Sequence, residues 1–512
     1  MAGLVTHRFR HHNAEQFFEA FSEAAPSRLY VFIGRQWAWD NESSPPTPID
    51  TTRDTYYRVW REMLGAKKVT TNDITYAAAR NDWTTGTVYT KYTDTNSTLF
   101  SNAFFVLTTD YNVYKCMNNN RGASSTVKPT GTSTSIIETA DGYKWKYMYT
   151  IGAGDALKFI TTEYIPVQTL SANDGSGQWD VQQAAVNGAI EIVDVTANGS
   201  GYLSSNGNFA SISNSSVVVL AASANTTDDS YVNSTIYIRS GLGSGQIRRV
   251  VDYVGSSKTL TVNGAFTTTP NTSSEYYIGP NVLIYGDGSG ALAYANVSSG
   301  QITKVEMINV GQNYSNTNIV LSANAGSGAT AEAYLSPPDG HGANPVRELG
   351  GYNVMLNVRL SGTESNTLPG NNDFRTIGIL KDPVVDATGA TANGTNYNQM
   401  TELTLNVVSG TFTFDEAVTG GTSSAVANGV NFSNTNSSGT TGVLRVNNIT
   451  PSATFSAGET VTGGTSGATA NVVSITNPEL RQFKGDILFI ENKSPVSRTQ
   501  DQTEDMKLVV KF

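Results

Sequence analysis

A single cysteine, Cys116, leaves no intrachain disulfide to form, which suits assembly in a reducing cytoplasm or a chain that needs no such staple. Charge is also scarce: 15% of the 512 residues are Asp, Glu, Lys or Arg. Their balance is a formal −10, so broad electrostatic attachment to nucleic acid or an anionic membrane is disfavoured. No apolar run approaches the length of a membrane span, and the basic stretch His7-Arg8-Phe9-Arg10-His11-His12 is not followed by the apolar core of a signal peptide. A soluble chain is therefore expected. Histidine occurs four times, at His7, His11, His12 and His341, without the carboxylate or thiol spacing of a metal site; a solvated or interface role is expected for the N-terminal three.

Motifs for chemistry are missing as well. There is no Gly-x-x-x-x-Gly-Lys-Ser/Thr loop, no Gly-x-Gly-x-x-Gly between a strand and a helix, no Gly-x-Ser-x-Gly elbow and no His-Glu-x-x-His. The adjacent acidic pairs Asp228-Asp229 and Glu504-Asp505 alternate sides in a strand and make poor catalytic partners. Two carboxylates brought together only by folding would leave no such spacing. No catalytic, cofactor-binding or metal-binding residue is assigned, and the expectation is a protein that is not an enzyme.

What is abundant is Gly (48 residues), Asn, Ser and Thr, with aromatics at 10%. That composition describes strands and turns with enough apolar area for real cores. The length exceeds one compact core, so about two to four domains are expected. Asp141-Gly142 is a strong turn signal, and after it Tyr143, Trp145, Tyr147 and Tyr149 alternate on one side of a strand. The stripe is expected to face a core; an aromatic platform for sugars or bases is the alternative. Lys144 and Lys146 point the other way and are the candidate partner contacts.

Helices are few. Asn13 to Gln16 has the form of a capping box, with Phe17, Phe18 and Phe21 at helical spacing and Pro26 ending the segment. A second helix is expected from about Asp50–Thr52, with Gly65 at its stop. Strands are expected at Leu29–Gly34, Thr87–Tyr92, Asn102–Thr108, Asn112–Met117, Phe159–Val167, Val354–Leu360, Phe374–Leu380, Gly485–Asn492 and Met506–Phe512.

Two internal repeats stand out. Gly188, Ile190, Val193, Val195, Gly199 and Tyr202 recur 112 residues later as Gly300, Ile302, Val305, Met307, Gly311 and Tyr314. Gly288-Ser289-Gly290-Ala291 recurs as Gly326-Ser327-Gly328-Ala329, and the two tyrosines are expected to plug strand ends. Phe412, Glu416, Gly420-Gly421-Thr422-Ser423, Ala425 and Ala427 recur 43 residues later from Phe455 to Ala470, each copy reading as a hairpin. The expected architecture is mainly β with a few short helices. A discontinuous β-sandwich-like core from residues 1–170, 336–387 and 477–512 carries inserted β-modules at 171–335 and 388–476.

Several short blocks, in order, resemble the baseplate wedge subunit of large contractile-tailed bacteriophages, the gene product eight family. They are Leu29 to Arg35 with Trp37; Met63-Leu64-Gly65; Arg80 to Trp83; Val113 to Cys116; Asp141 to Tyr147; Glu163-Tyr164-Ile165; Leu368-Pro369-Gly370-Asn371; Phe374-Arg375; and Gly485 to Phe512. They cover about half the chain, whereas the repeat modules at 171–335 and 388–476 have no counterpart in the family member that the blocks resemble. The residues carrying the signature are Gly34, Arg35, Trp37, Trp83, Asp141, Gly142, Tyr143, Trp145, Tyr147, Pro369, Gly370, Phe374, Glu491 and Asn492. The resemblance implies a non-enzymatic virion protein of the tail baseplate, assembled in the host cytoplasm. It also implies a homodimer that contacts other wedge proteins and takes part in the rearrangement that triggers sheath contraction. A carbohydrate- or receptor-binding tail protein, using the inserted modules for adhesion, is the alternative.

Overall fold

The computed structural model describes residues 4–23 and 26–512. The protein is mainly β with a few short helices. It divides into two compact units, one formed by Met1–Ala77, Leu157–Ile160 and Tyr352–Phe512, the other by Ala78–Ala156 and Thr161–Gly351. This differs from the expected segmentation: most of residues 78–170 fold with the first repeat module, and the second module folds with the N- and C-terminal strands.

In the first unit a five-stranded antiparallel sheet runs in the order Asn396–Asn398, Met63–Lys68, Leu29–Gly34, Asn372–Lys381, Asp486–Arg498. Val31 and Ile33 from one face share a core with Ile377 and Ile379 and with Val354, Leu356 and Leu508 of a second antiparallel pair, Asn353–Ser361 with Thr503–Lys511. Two sheets closing on one apolar layer is the sandwich-like core that was expected. The opposite face of the first sheet buries Tyr30, Phe32 and Met63 with Trp60 of the helix Arg53–Glu62.

Two details depart from the sequence reading. The first helix spans His7–Glu19 and is capped by Thr6, whose side chain accepts from the Phe9 amide, so Asn13 lies inside it. His11 is consequently buried rather than solvated, with Nε2 3.1 Å from Glu15. Gly65 is not a helix stop: the chain is already extended at Met63, and Gly65 sits in a strand where an added Cβ would fall 2.2 Å from Leu368.

The repeat with a 43-residue period forms a closed six-stranded barrel between Thr401 and Thr476. Its hairpins Ala417–Gly420/Val426–Asn434 and Thr460–Gly463/Thr469–Thr476 meet through their first strands, with Thr419 opposite Thr462. Those two residues are repeat equivalents, so the barrel has an internal two-fold relation. Each copy's buried glutamate crosses to the other copy's turn. Glu416 accepts from the amides of Thr465 (3.0 Å) and Ser466 (2.8 Å), and Glu459 accepts from those of Thr422 (3.1 Å) and Ser423 (3.0 Å).

In the second unit the other repeat is nested. Ile190–Ser200 pairs with Ser327–Leu335, enclosing in sequence the equivalent pair Ser289–Ser298 with Gln301–Gln312. Tyr202 and Tyr314 are buried as plugs, and their amides donate reciprocally to Gly300 (3.0 Å) and Gly188 (3.1 Å). Glycine is required where each ring lies: a Cβ on Gly326 would meet the Tyr202 ring at 2.6 Å, and one on Gly288 the Tyr314 ring at 2.4 Å. Residues between the copies, Ser205 to Gly286, contribute most of an antiparallel sheet with its own core around Ile236, Val250 and Tyr276.

The aromatic strand, Lys144–Thr150, lies in the sheet Phe105–Leu107, Asn112–Asn118, Lys144–Thr150, Ile137–Glu138. Thr87–Tyr92, expected as a strand, makes only a bridge at Thr87 to Ser125. Residues 153–167 split into a helix, Ala153–Phe159, and a strand, Tyr164–Val167.

Candidate functional site

Four signature residues of the first unit, Gly34, Arg35, Trp37 and Asn492, gather at one end of the central strand. Gly34 and Arg35 turn the chain out of the sheet, Arg35 with a left-handed φ of 53° that a side chain adopts only under constraint. The constraint is visible. The Arg35 amide donates to the Glu62 carbonyl at 2.9 Å, and its guanidinium lies 3.8 Å from the Trp39 ring centroid and 4.8 Å from that of Trp37. Its terminal nitrogen donates to the Ala38 carbonyl at 3.0 Å. Gln36, fully buried, exchanges two amide hydrogen bonds with Asn447 at 2.9 and 3.0 Å, tying this turn to a barrel strand. Arg375 is buried beside it, its Nε shared between the two Glu42 carboxylate oxygens at 2.9 and 3.1 Å and a terminal nitrogen donating to the Gln36 carbonyl.

Beside this turn is a cavity of about 380 Å³ lined by Arg35, Trp39, Arg58, Glu62, Thr376 and Asn492, with the Pro46–Pro48 loop on one side. Asn492 fixes that loop by donating to the Pro46 carbonyl at 2.8 Å and holds Thr376 through its side-chain oxygen at 3.2 Å. Trp39 Nε1 donates to the Lys493 carbonyl at 2.9 Å. Glu62 is buried, and burial pushes its carboxyl up to about 7 although Arg35 and Arg58 stand 3.6 and 3.9 Å away. Burial likewise lowers Arg35, against the pull of Glu62. Neither Glu62 Oε1 nor Arg35 Nε has a hydrogen-bond partner.

The other signature residues of this unit are scaffold. Phe374 is in the core, the Pro369 carbonyl accepts from buried Arg498 at 3.3 Å, and Gly370 packs against the Gln500 backbone. Glu491 pairs with Lys493 at 2.8 Å, half-exposed.

In the second unit Tyr143, Trp145 and Tyr147 are buried, so the stripe faces a core and is not an open platform. Tyr143 and Trp145 stack at 5.4 Å, and Trp83 reaches the edge of this core while donating to Ser125 at 3.1 Å. The turn works as the sequence suggests: Gly142 has φ 81°, and Asp141 accepts from the amides of Thr126 (2.7 Å), Val127 (2.9 Å) and Tyr143 (3.3 Å). Against the burial that would raise it, hydrogen bonds from Thr139 and these amides hold the Asp141 carboxyl below its ordinary value.

The opposite face of the strand is where expectation fails. Lys146 is paired with buried Glu191, and Lys144 is half-buried with its pKa lowered by burial and then by Lys304. The strand is covered on both sides, which corrects the reading of these lysines as open contact residues. Directly across from Lys146 in the ladder is Lys115, fully buried, with Nζ 2.5 Å from Glu348 and 4.1 Å from the Tyr92 ring centroid. His341 completes the group, Nδ1 3.0 Å from Glu348 and Nε2 3.2 Å from the Tyr147 carbonyl. Burial and the nearby Lys115 lower His341, while Lys115 and His341 outweigh burial at Glu348 and hold it well below the carboxylate range. Two like charges facing each other across a ladder each have a buried carboxylate, so the cluster is a structural charge lock. Of its members the sequence marks Lys146 as a candidate contact and His341 only as one of four histidines. Residues 115, 191, 341 and 348 carry no linear signal that joins them.

No protein-family model and no curated protein matches the chain. The geometry of these two sites therefore stands on its own residues.

Proposed function

We propose that the chain is a structural subunit of a contractile phage tail baseplate wedge, acting through protein–protein contacts in baseplate assembly and in the rearrangement that releases the sheath. One observation carries the reading. Four family-like blocks, Leu29 to Arg35, Met63-Leu64-Gly65, Phe374-Arg375 and Gly485 to Phe512, fall on four adjacent strands of one sheet although long stretches of chain separate the last three. Blocks scattered in the chain yet contiguous in the fold are what one shared structural element would give, and that supports the reading. The resemblance also accounts for where the non-matching residues lie, since the barrel Thr401–Thr476 and the nested repeat are self-contained in their cores.

The test is assembly. Size-exclusion chromatography with light scattering on the full chain should give a dimer, and the tagged protein should enter tail particles when produced with the remaining tail proteins. A strict monomer that stays out of those particles overturns the reading. Particles that assemble normally without the protein but no longer adsorb to cells would favour host adhesion instead.

A further inference from the structure

We propose that the cavity beside Arg35 is a carboxylate-binding site, taking an Asp or Glu side chain of another polypeptide or a free organic acid of that size between Arg35, Arg58 and Glu62. The inference concerns the isolated chain and does not depend on what the chain assembles into.

The cavity has the volume of a small-ligand site, about 380 Å³. Its polar groups are incomplete in a particular way. Arg35 Nε is a buried donor without an acceptor, and Glu62 Oε1 is a buried oxygen without a hydrogen bond. Glu62 has a side chain only 8% exposed, at ion-pair distance from two guanidiniums but hydrogen-bonded to neither through Oε1. Leaving such groups unpaired is costly, and a ligand that completes them recovers that cost.

Charge selects the sign of the ligand. Arg61 and Arg375 also act on the Glu62–Arg35 pair, but each is already answered, Arg61 by Asp54 and Arg375 by Glu42 and Asp373. The wall itself carries Arg35 and Arg58 against Glu62 and the exposed Asp40, and burial biases Glu62 toward its neutral form, which leaves the wall net positive. A cation would be repelled, and a neutral donor would leave Arg35 Nε unanswered. A carboxylate accepts from Arg35 Nε and from Arg58 and can share a proton with Glu62, because two adjacent carboxyls do not both ionise. Arg35 is already clamped on Trp39 and bonded to Ala38, so little ordering remains to oppose binding. Arg58 is half-exposed and can close over the ligand.

Proton sharing gives a signature. Burial places Glu62 near neutrality, so uptake of a carboxylate should draw in a proton and tighten as the pH falls from about 8 to about 6. Calorimetric titration of the full chain with glutarate and with the blocked peptide acetyl-Gly-Glu-Gly-amide tests this. Saturable binding that strengthens toward pH ~6 is expected. Arg58→Gln should bind roughly tenfold more weakly. Glu62→Gln should retain binding while losing the pH dependence, since its amide still donates but no longer titrates. Response to the peptide alone assigns the ligand to a polypeptide side chain, and response to glutarate alone to a free acid. The proposal is overturned if neither probe binds the unaltered chain. It is equally overturned if N-acetyl-lysine amide binds as well as glutarate, or if Arg58→Gln, shown folded by circular dichroism, binds unchanged.

Discussion

Removing the Glu416 carboxylate should loosen a turn fifty residues away in sequence more than the strand that carries it. In the barrel Glu416 accepts four hydrogen bonds: from the Thr413 amide (2.6 Å), the Thr465 and Ser466 amides (3.0 and 2.8 Å) and the Ser466 hydroxyl (2.9 Å). Three of the four come from the other repeat copy. Hydrogen bonds to a charged acceptor contribute about 1.5–3 kcal/mol each, but Thr465 and Ser466 are exposed enough for water to replace part of that. A net cost of about 2–4 kcal/mol for Glu416→Ala is the reasonable sum. If the turn opens locally, its amides should exchange with solvent roughly 30-fold faster or more. Hydrogen–deuterium exchange read by mass spectrometry on the full chain resolves this, because peptides covering 463–468 and 420–425 are separate. Glu416→Ala should expose the first, and Glu459→Ala the second through Thr422 and Ser423. Glu416→Gln, which keeps one acceptor oxygen, should fall between. An increase confined to residues 413–420, or equal loosening of both turns in each variant, would refute the crossed arrangement.

The buried charges of the second unit should make it acid-sensitive. Glu348, Glu191 and His341 all have folded-state values below their ordinary ones. Depressed groups contribute stability above the unfolded value and lose it as the pH falls through the folded one. Urea unfolding should therefore show this unit steady above pH 6.5, weakening below it as His341 is forced to charge, and weakening further below 4.5 as the carboxylates protonate. A flat profile to pH 4.5 would contradict the assignment. Lys115→Met should cost about 3–5 kcal/mol by stranding Glu348, and the double change with Glu348→Gln should recover much of it; a double variant as weak as the single one would mean that packing, not charge, dominates. Trp145→Ala should cost about 3–5 kcal/mol. Trp145→Phe should cost far less, because the indole Nε1 makes no hydrogen bond that would be lost. Equal losses in thermal unfolding would tell against a purely apolar role.

Periodicity and turn chemistry made the strands from residues 353 to 380, the aromatic strand and both repeats legible, since alternation and Gly-rich turns are local properties. Helix limits were less so. Thr6, not Asn13, caps the first helix because the polar His7–His12 stretch carries no visible apolar period, although it buries His11. Gly65 read as a helix stop because nothing local announces that Leu368 occupies the space a side chain would need. The same holds for the sites. Arg35, Trp37 and Asn492 were recognisable as residues worth marking, but Glu62 and Trp39 complete the cavity only through the fold. Lys144 and Lys146 were misplaced for a related reason. Alternation says which way a lysine points, not whether a carboxylate waits there, and Glu191 lies 45 residues further on.

The two repeats solve one problem in the same way. A strand whose neighbours are near-copies of itself can slip or pair with the wrong copy at little cost, because side-chain alternation survives a two-residue shift. In the barrel, sliding Ala417–Gly420 along Thr460–Gly463 would withdraw Glu416 from one turn and Glu459 from the other at once. In the second unit, a shift of Ile190–Ser200 on Ser327–Leu335 would carry Tyr202 away from Gly326, the partner-side glycine that leaves room for its ring. Each copy thus carries a group whose only fit is in or beside its counterpart. A mis-register is penalised twice, so the true register is separated from its neighbours by both contacts together. Such a device is useful in a chain with few charges, where surface repulsion can do little to reject wrong pairings.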